Sequence, residues 1–136
     1  MKKLLVILFF AIVFVGCKDK DEDVAADLGA RVAGTYTMTK VGQGGVSIDL
    51  PFPGISGSVK VVRKEAEKAE WAIRLEQDGK LLIDDKTATG EIALSESGSK
   101  VILKEGGTEA GYVEGNILVI DFVDGDGVHS RIEAKK

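Results

Sequence analysis

Apolar and polar residues alternate along most of the second half of the chain. In the last such run, residues 128–135, Ile132 and Ala134 would face one side of a sheet. Arg131 and Glu133 would face the other side, because successive side chains of a strand point to opposite faces. This pattern is typical of an antiparallel strand with one buried face. The same alternation recurs in residues 87–94, 100–104 and 117–122.

Short polar segments that contain glycine separate these runs. They are Gln77-Asp78-Gly79, Glu96-Ser97-Gly98, Glu105-Gly106-Gly107, Glu114-Gly115-Asn116 and Asp124-Gly125-Asp126-Gly127. Turns of this composition join neighbouring antiparallel strands. About eight or nine strands joined in this way predict an all-β fold, an antiparallel up-and-down meander. A meander removes its exposed edges when it closes on itself, so we expect a small barrel.

The segment 61–77 allows two interpretations. Trp71, Ile73 and Leu75 alternate with more polar residues, and we favour two strands joined by a charged turn at 65–68. A helix is the alternative, since the segment is rich in helix-forming residues and four apolar residues fall at helical spacing. These four are Val62, Ala66, Ala69 and Ile73.

The first 16 residues predict a cleaved export signal. Lys2 and Lys3 precede an apolar run at 4–15, and a small residue follows it. The run is too short for a membrane span, which needs about 20 apolar residues in a helix. The segment Phe14-Val15-Gly16-Cys17 resembles a bacterial lipobox. This resemblance implies that the lipid which attaches the mature protein to a membrane is carried by Cys17.

Residues 17–31 predict an acidic tether between the lipidated cysteine and the folded domain. Residues 18–23 are all charged, and such a run stays solvated and extended. The acidic cluster directly after the cysteine also resembles the export signal of surface lipoproteins in Bacteroidota. This resemblance implies an outer-membrane lipoprotein of the cell envelope, and it favours the cell surface over a periplasm-facing location.

The net charge argues against nucleic acid as a partner. It is −4 for the whole chain at pH 7. Cleavage of residues 1–16 removes Lys2 and Lys3 and no acidic residue, so the charge of the mature chain falls from −4 to −6. An acidic protein is repelled by nucleic acid and by anionic lipid surfaces. We therefore expect the covalent lipid to be its contact with the membrane.

The sequence carries no motif for catalysis or for a metal ion. Cys17 is the only cysteine, so no internal disulfide can form, and lipidation would leave no thiol nucleophile. His129 is the only histidine and lies on the outward, polar face of its strand, so no Ser-His-Asp arrangement follows. Asp121, Asp124 and Asp126 lack the spacing of a calcium loop and fit a hairpin turn better. We predict a non-enzymatic protein without a cofactor or a metal site.

The folded part of the chain resembles a known group of proteins. Gly34-Thr35-Tyr36 opens the first strand, and a long loop, a hairpin meander and a final strand with a charged tail follow. Residues 32–136 thereby resemble the lipocalin-like, or calycin-like, β-barrel lipoproteins of Bacteroidota. An eight-stranded barrel of this kind is either filled by side chains or holds one small ligand.

The resemblance implies where a ligand would bind. It places the loop 42–57 at the mouth of the barrel, with Leu50, Phe52 and Ile55 as an apolar portal. Candidate cavity-lining residues are Tyr36, Met38 and Trp71. In the alternative interpretation the loop residues plug the end of the barrel as part of its core. The expected function is the binding of a small apolar ligand; the alternative is a filled barrel that acts as an interaction module, an inhibitor or assembly subunit, for an envelope protein.

Overall fold

The structure of the protein is a computed structural model that describes residues 26–136. The predicted signal sequence, Cys17 and the charged run at 18–23 lie outside these residues. The described chain contains one short helix and ten strands. These are α1 Leu28–Val32, β1 Gly34–Gln43, β2 Val46–Asp49, β3 Ile55–Glu65, β4 Lys68–Gln77, β5 Lys80–Ile83, β6 Thr89–Ser97, β7 Lys100–Glu105, β8 Thr108–Glu114, β9 Ile117–Val123 and β10 His129–Lys135.

Eight of the strands form a closed antiparallel barrel, which confirms the predicted fold. The barrel runs in the order β1-β3-β4-β6-β7-β8-β9-β10, and β10 pairs again with β1, where Lys135 lies opposite Thr37. The two short strands β2 and β5 pair with the C-terminal ends of β1 and β4. They extend these two strands as hairpins beside the barrel. Closure leaves the eight barrel strands without a free edge along most of their length.

The strand directions define two ends of the barrel. Because neighbours are antiparallel, the connections β1–β3, β4–β6, β7–β8 and β9–β10 lie at one end, here called the upper end. The connections β3–β4, β6–β7 and β8–β9 lie at the lower end, as does helix α1 directly before β1.

Residues 61–77 form a hairpin, as we favoured, and not a helix. Strand β3 ends at Glu65 and β4 begins at Lys68, so the turn lies within the predicted charged segment. Alternate residues of the barrel strands point inward and form one core. The predicted alternation of β10 is confirmed, since Ile132 and Ala134 are buried. The best-buried large side chains of the core are Tyr36, Met38, Ile92, Leu103, Leu118 and Ile120.

Helix α1 lies partly within residues 17–31, for which the sequence predicted an extended tether. For residues 28–31 that prediction is wrong, because they are helical and packed on the barrel. Its apolar residues Leu28 and Val32 are buried in the core at the lower end of the barrel. Asp27 caps the helix, accepting a 2.9 Å hydrogen bond from the amide of Ala30, and pairs with Arg63 of β3 at 2.9 Å. The packed domain therefore begins before residue 32.

The aspartates between β9 and β10 form a turn, as the sequence suggested. The Asp124 carboxylate accepts hydrogen bonds from the amides of Asp126 and Val128, at 3.0 and 2.8 Å. Such side-chain-to-backbone bonds fix a tight loop without a ligand. In the described residues no group of three or more metal-binding side chains comes together.

Candidate functional site

A cavity of about 700 Å³ opens at the upper end of the barrel. Its apolar wall is formed by Trp71, Ile73, Ala110, Ile120, Phe122 and Val123, from strands β4, β8 and β9. Small-ligand sites in proteins have volumes of about 300 to 1,000 Å³ and mostly apolar walls. Well-packed interiors contain few voids larger than a water molecule. The barrel is therefore filled at its lower end, and its upper end is open on the side of β4, β8 and β9.

The cavity reaches the outside through a gap between β8 and β9. The ladder between these strands ends where Gly111 lies opposite Ile120. The N-terminal part of β8, 108–110, pairs with β7 alone, and the C-terminal part of β9, 121–123, pairs with β10 alone. Residues on both sides of this gap line the cavity.

A bulge in β8 explains the gap. The register between β7 and β8 shifts next to Leu103, and Ala110 is the extra residue on β8. A bulge bends its strand and increases the local twist. The next residue must be glycine, because a Cβ atom at Gly111 would overlap the carbonyl oxygen of Val119 and lie 3.0 Å from the Cα atom of Ile120. Strand β8 thus touches β9 closely at Gly111 and turns away above it.

A glycine in β6 leaves room for two polar groups of the cavity lining. Gly90 lies opposite Trp71 in the β4–β6 ladder, on the inward face of the barrel. A Cβ atom there would overlap the carboxylate of Glu105 and lie 3.2 Å from Nε1 of Trp71. The Glu105 carboxylate and the indole nitrogen therefore lie over Gly90, in the place that a side chain would take. Trp71 is 5% exposed, so most of its ring is packed into the barrel.

The rim of the cavity is acidic. Three carboxylates line it, those of Glu105, Glu109 and Asp121. Within the described residues the lining also contains His129 and three threonines, but no lysine or arginine. A cavity lined by charges of one sign attracts the opposite charge, and nearby low-dielectric walls strengthen the effect.

One of these carboxylates is already neutralised on the outer face of β9 and β10. Asp121 contacts Nε2 of His129 through one oxygen and pairs with Nη1 of Arg131 at 2.7 Å through the other. Arg131 also binds Glu133, at 3.0 Å. Partial burial raises the pKa of Asp121, but the hydrogen bonds from His129 and Arg131 outweigh burial, and the net pKa is lowered. The hydrogen bonds that Arg131 donates to Glu133 and Asp121 raise the pKa of its guanidinium.

Of the six ligand-binding residues predicted from the sequence, only Trp71 lines this cavity. Tyr36 and Met38 are fully buried in the filled part of the barrel. The Tyr36 hydroxyl donates a 2.7 Å hydrogen bond to the carbonyl of Val32, which ties it to helix α1. Burial raises the pKa of Tyr36 to about 12. Both side chains belong to the core and do not reach the cavity.

The predicted portal residues are divided between core and surface. Leu50 is 8% exposed and belongs to the core, and Ile55 packs against the same core. They plug the barrel near β1 and β3, as in the alternative interpretation of this loop. Phe52 is 51% exposed, and it does not line the cavity. The opening lies instead beside β8 and β9.

Sequence reasoning missed Gly90, Glu105 and Phe122 as site residues. Gly90 carried a usable signal, because glycine inside a strand often marks a bulge or space for a ligand. Phe122 lies in one of the alternating runs, but the gap that leaves 40% of it exposed depends on the register between distant strands. Glu105 was assigned to a turn, and the structure places it at the last position of β7.

The fold and the cavity define this protein as a small antiparallel β-barrel of a kind compatible with a calycin-like domain. No protein-family model matches the chain, and searches of curated proteins and of solved structures gave no match either. Within residues 26–136, no helix has the length and apolar character that crossing a bilayer requires.

Proposed function

We propose that this protein is a non-enzymatic carrier that holds one small, mostly apolar ligand in the upper cavity of its barrel. The observation that supports this proposal is the 700 Å³ cavity with its wall of Trp71, Ile120 and Phe122. Binding would cover apolar surface that is otherwise exposed to water. Each Å² of apolar surface covered contributes about 25 cal/mol of favourable free energy. The gap between β8 and β9 gives the ligand a route that requires no opening of the barrel.

A fluorescence titration tests the proposal directly. The uncharged probe N-phenyl-1-naphthylamine brightens in apolar sites, and it accepts excitation energy from tryptophan. Because Trp71 is the only tryptophan of the chain, energy transfer reports a probe close to the cavity. We expect saturable binding to the full-length protein, with quenching of Trp71. The Trp71→Phe variant should retain probe brightening under direct excitation and lose the transfer. Absence of saturable binding would contradict the proposal.

We further propose that the carrier is anchored through a lipid on Cys17 to the outer membrane, on the cell-surface side. The lipobox-like segment 14–17 and the acidic run at 18–23 support this location. One buried acyl chain gives only marginal membrane binding, whereas two or more anchor a protein stably. Cell fractionation of the Cys17→Ser variant tests the anchor, since the variant should leave the membrane fraction. If it stays in the membrane fraction, another segment holds the protein there.

A second candidate function is an interaction module for an envelope protein. It is favoured by apolar side chains exposed on β2 and in the loop that follows, Val46 at 72% and Phe52 at 51%. Exposed apolar groups of this kind often mark a contact with a partner. The double variant Val46→Ser/Phe52→Ser separates the two functions. It should leave probe binding unchanged if the protein acts as a carrier, and weaken partner binding if this surface is the functional site.

A further inference from the structure

We propose that Trp71 and Glu105 form a polar subsite in the cavity that selects a ligand with a hydroxyl or ammonium group and rejects carboxylates. This inference rests on the proposed binding of an apolar ligand, and it specifies the chemical class of that ligand. The ligand would be an amphiphile whose apolar part lies against Ile120 and Phe122.

The first reason is an indole N–H without a partner. Trp71 is only 5% exposed, yet no hydrogen bond within residues 26–136 is donated by its Nε1. No unpaired polar side-chain atom of these residues is buried, so Nε1 faces the open cavity that Trp71 lines. Nε1 lies over Gly90, close to the carboxylate of Glu105. A tryptophan N–H that becomes covered usually finds an acceptor, and a ligand oxygen in the cavity would supply it.

The second reason is the carboxylate that borders the same space. The side chain of Glu105 reaches over Gly90, and the described structure gives it no salt bridge. An ionised carboxylate only accepts hydrogen bonds. One hydroxyl group satisfies both protein groups, since its oxygen accepts from Nε1 of Trp71 and its hydrogen is donated to Glu105. An ammonium group satisfies Glu105 through a charge-assisted bond.

The third reason is the electrostatic field of the rim. Glu105 and Glu109 both line the cavity, and Asp121 is shared with His129 and Arg131. A ligand carboxylate next to Nε1 of Trp71 would face the Glu105 carboxylate without a proton between them. Like charges placed against each other repel. The subsite therefore favours alcohols and amines over fatty acids.

Competition among three probes of equal chain length tests this selectivity at neutral pH. Decanol, decylamine and decanoate are titrated against N-phenyl-1-naphthylamine bound to the full-length protein. We expect decanol and decylamine to displace the dye at concentrations about tenfold lower than decanoate. A tenfold ratio of these concentrations corresponds to the free energy of about one hydrogen bond to a charged group. Equal displacement by all three compounds would overturn the subsite and leave the carrier function standing. If the dye itself does not bind, the carrier function and the subsite both fail.

A charge-removing variant identifies the residue responsible. Glu105→Gln keeps the shape of the side chain, and its control Glu67→Gln removes the same charge from the lower end of the barrel. In Glu105→Gln we expect decylamine to bind about three- to tenfold more weakly, decanoate to bind more tightly and decanol to change least. Glu67→Gln should behave like the wild type. Retention of the wild-type order of the three compounds in Glu105→Gln would assign the selectivity to another group and overturn the proposal.

Discussion

Gly90 on β6 lies directly opposite Trp71 on β4, and the missing side chain of the glycine makes room for the indole nitrogen of Trp71 and the carboxylate of Glu105. Two polar groups of the cavity lining thus depend on a residue that contributes no side-chain contact of its own. Its position is inward-facing, and its backbone does not adopt the left-handed conformation that other residues avoid. A larger side chain can therefore be introduced there without backbone strain.

We predict that Gly90→Leu blocks the cavity. A leucine would displace the flexible end of Glu105, crowd the indole nitrogen of Trp71 and extend into the cavity that both residues line. Affinity for N-phenyl-1-naphthylamine should fall at least about tenfold, because the apolar contacts of the bound probe are replaced by protein. Stability should change little, because the apolar surface that the leucine buries offsets the crowding against Trp71. Fluorescence titration and thermal unfolding measure the two effects.

Gly125→Leu is the matched control for this variant. Gly125 lies in the β9–β10 turn, and a Cβ atom there would meet no atom within 4 Å. The control should bind the probe like the wild type. Normal probe binding by a folded Gly90→Leu protein would show that the probe occupies another site.

Tyr36 should lose its proton only at very high pH. Burial raises its pKa to about 12 from the ordinary value of 10.0. Because the folded pKa lies above the unfolded pKa, the neutral phenol contributes stability that is complete below pH 10 and lost as the pH rises toward 12. The Tyr112→Phe variant leaves Tyr36 as the one tyrosine in the chain, so its absorbance change between these pH values reports Tyr36. Titration near pH 10 while the barrel remains folded would contradict the observed burial.

Helix α1 should tolerate no side chain at Gly29. A Cβ atom there would overlap the backbone oxygen of Glu65 and lie 2.9 Å from Cγ of Arg63. Overpacking against backbone costs about 1 to 3 kcal/mol, and alanine recovers about 1 kcal/mol in helix propensity. The overlap is with a backbone atom, which cannot move aside, so the cost lies at the upper end of this range, and Gly29→Ala should lower the free energy of unfolding by about 2 kcal/mol. Urea unfolding measures the change, and Gly125→Ala serves as the control. An unchanged or increased stability would mean that α1 is not packed on the barrel.

The ion pair at the start of α1 should be visible in the acid titration of Asp27. The hydrogen bond from Arg63 is the main cause that lowers the pKa of this carboxyl, and the bond from Ala30 adds to it. The stabilisation is present above the unfolded pKa of aspartate and is lost as the pH falls through the lower folded value. In Arg63→Gln the Asp27 pKa should rise toward its ordinary value, as measured by NMR of the side-chain carboxyl. Lys64→Gln, which changes a neighbouring charge, should leave it unchanged.

The barrel could be predicted from local patterns because each strand carries its own signal. Alternation in β10 and the glycine turns fixed the strands, and the alternation of Trp71, Ile73 and Leu75 favoured a hairpin over a helix. These features depend on neighbouring residues alone. Helix α1 was missed because it spans only five residues within an acidic stretch. Its formation depends on the burial of Leu28 and Val32 by distant strands.

Only one residue of the cavity lining could be predicted from the sequence, because the position of the cavity depends on how the strands are aligned with their neighbours. Trp71 was named as a cavity-lining residue on the basis of the family resemblance, and it lines the cavity. Leu50 and Ile55 were expected at a portal, but they fill the barrel beside β1 and β3. The opening arises above Gly111, where the bulge at Ala110 bends β8 away from β9. No local sequence pattern reveals that the hydrogen bonds between these two strands end there.

Native mass spectrometry of the full-length protein, extracted from the membranes of its own host, tests ligand carriage most directly. The account predicts a mass larger than that of the denatured protein by one small non-covalent ligand, because denaturation retains any lipid on Cys17 and releases a ligand from the cavity. The additional mass should be absent from Gly90→Leu and present in Gly125→Leu. Identical native and denatured masses for the wild type, or an equal adduct on Gly90→Leu, would contradict a ligand in this cavity.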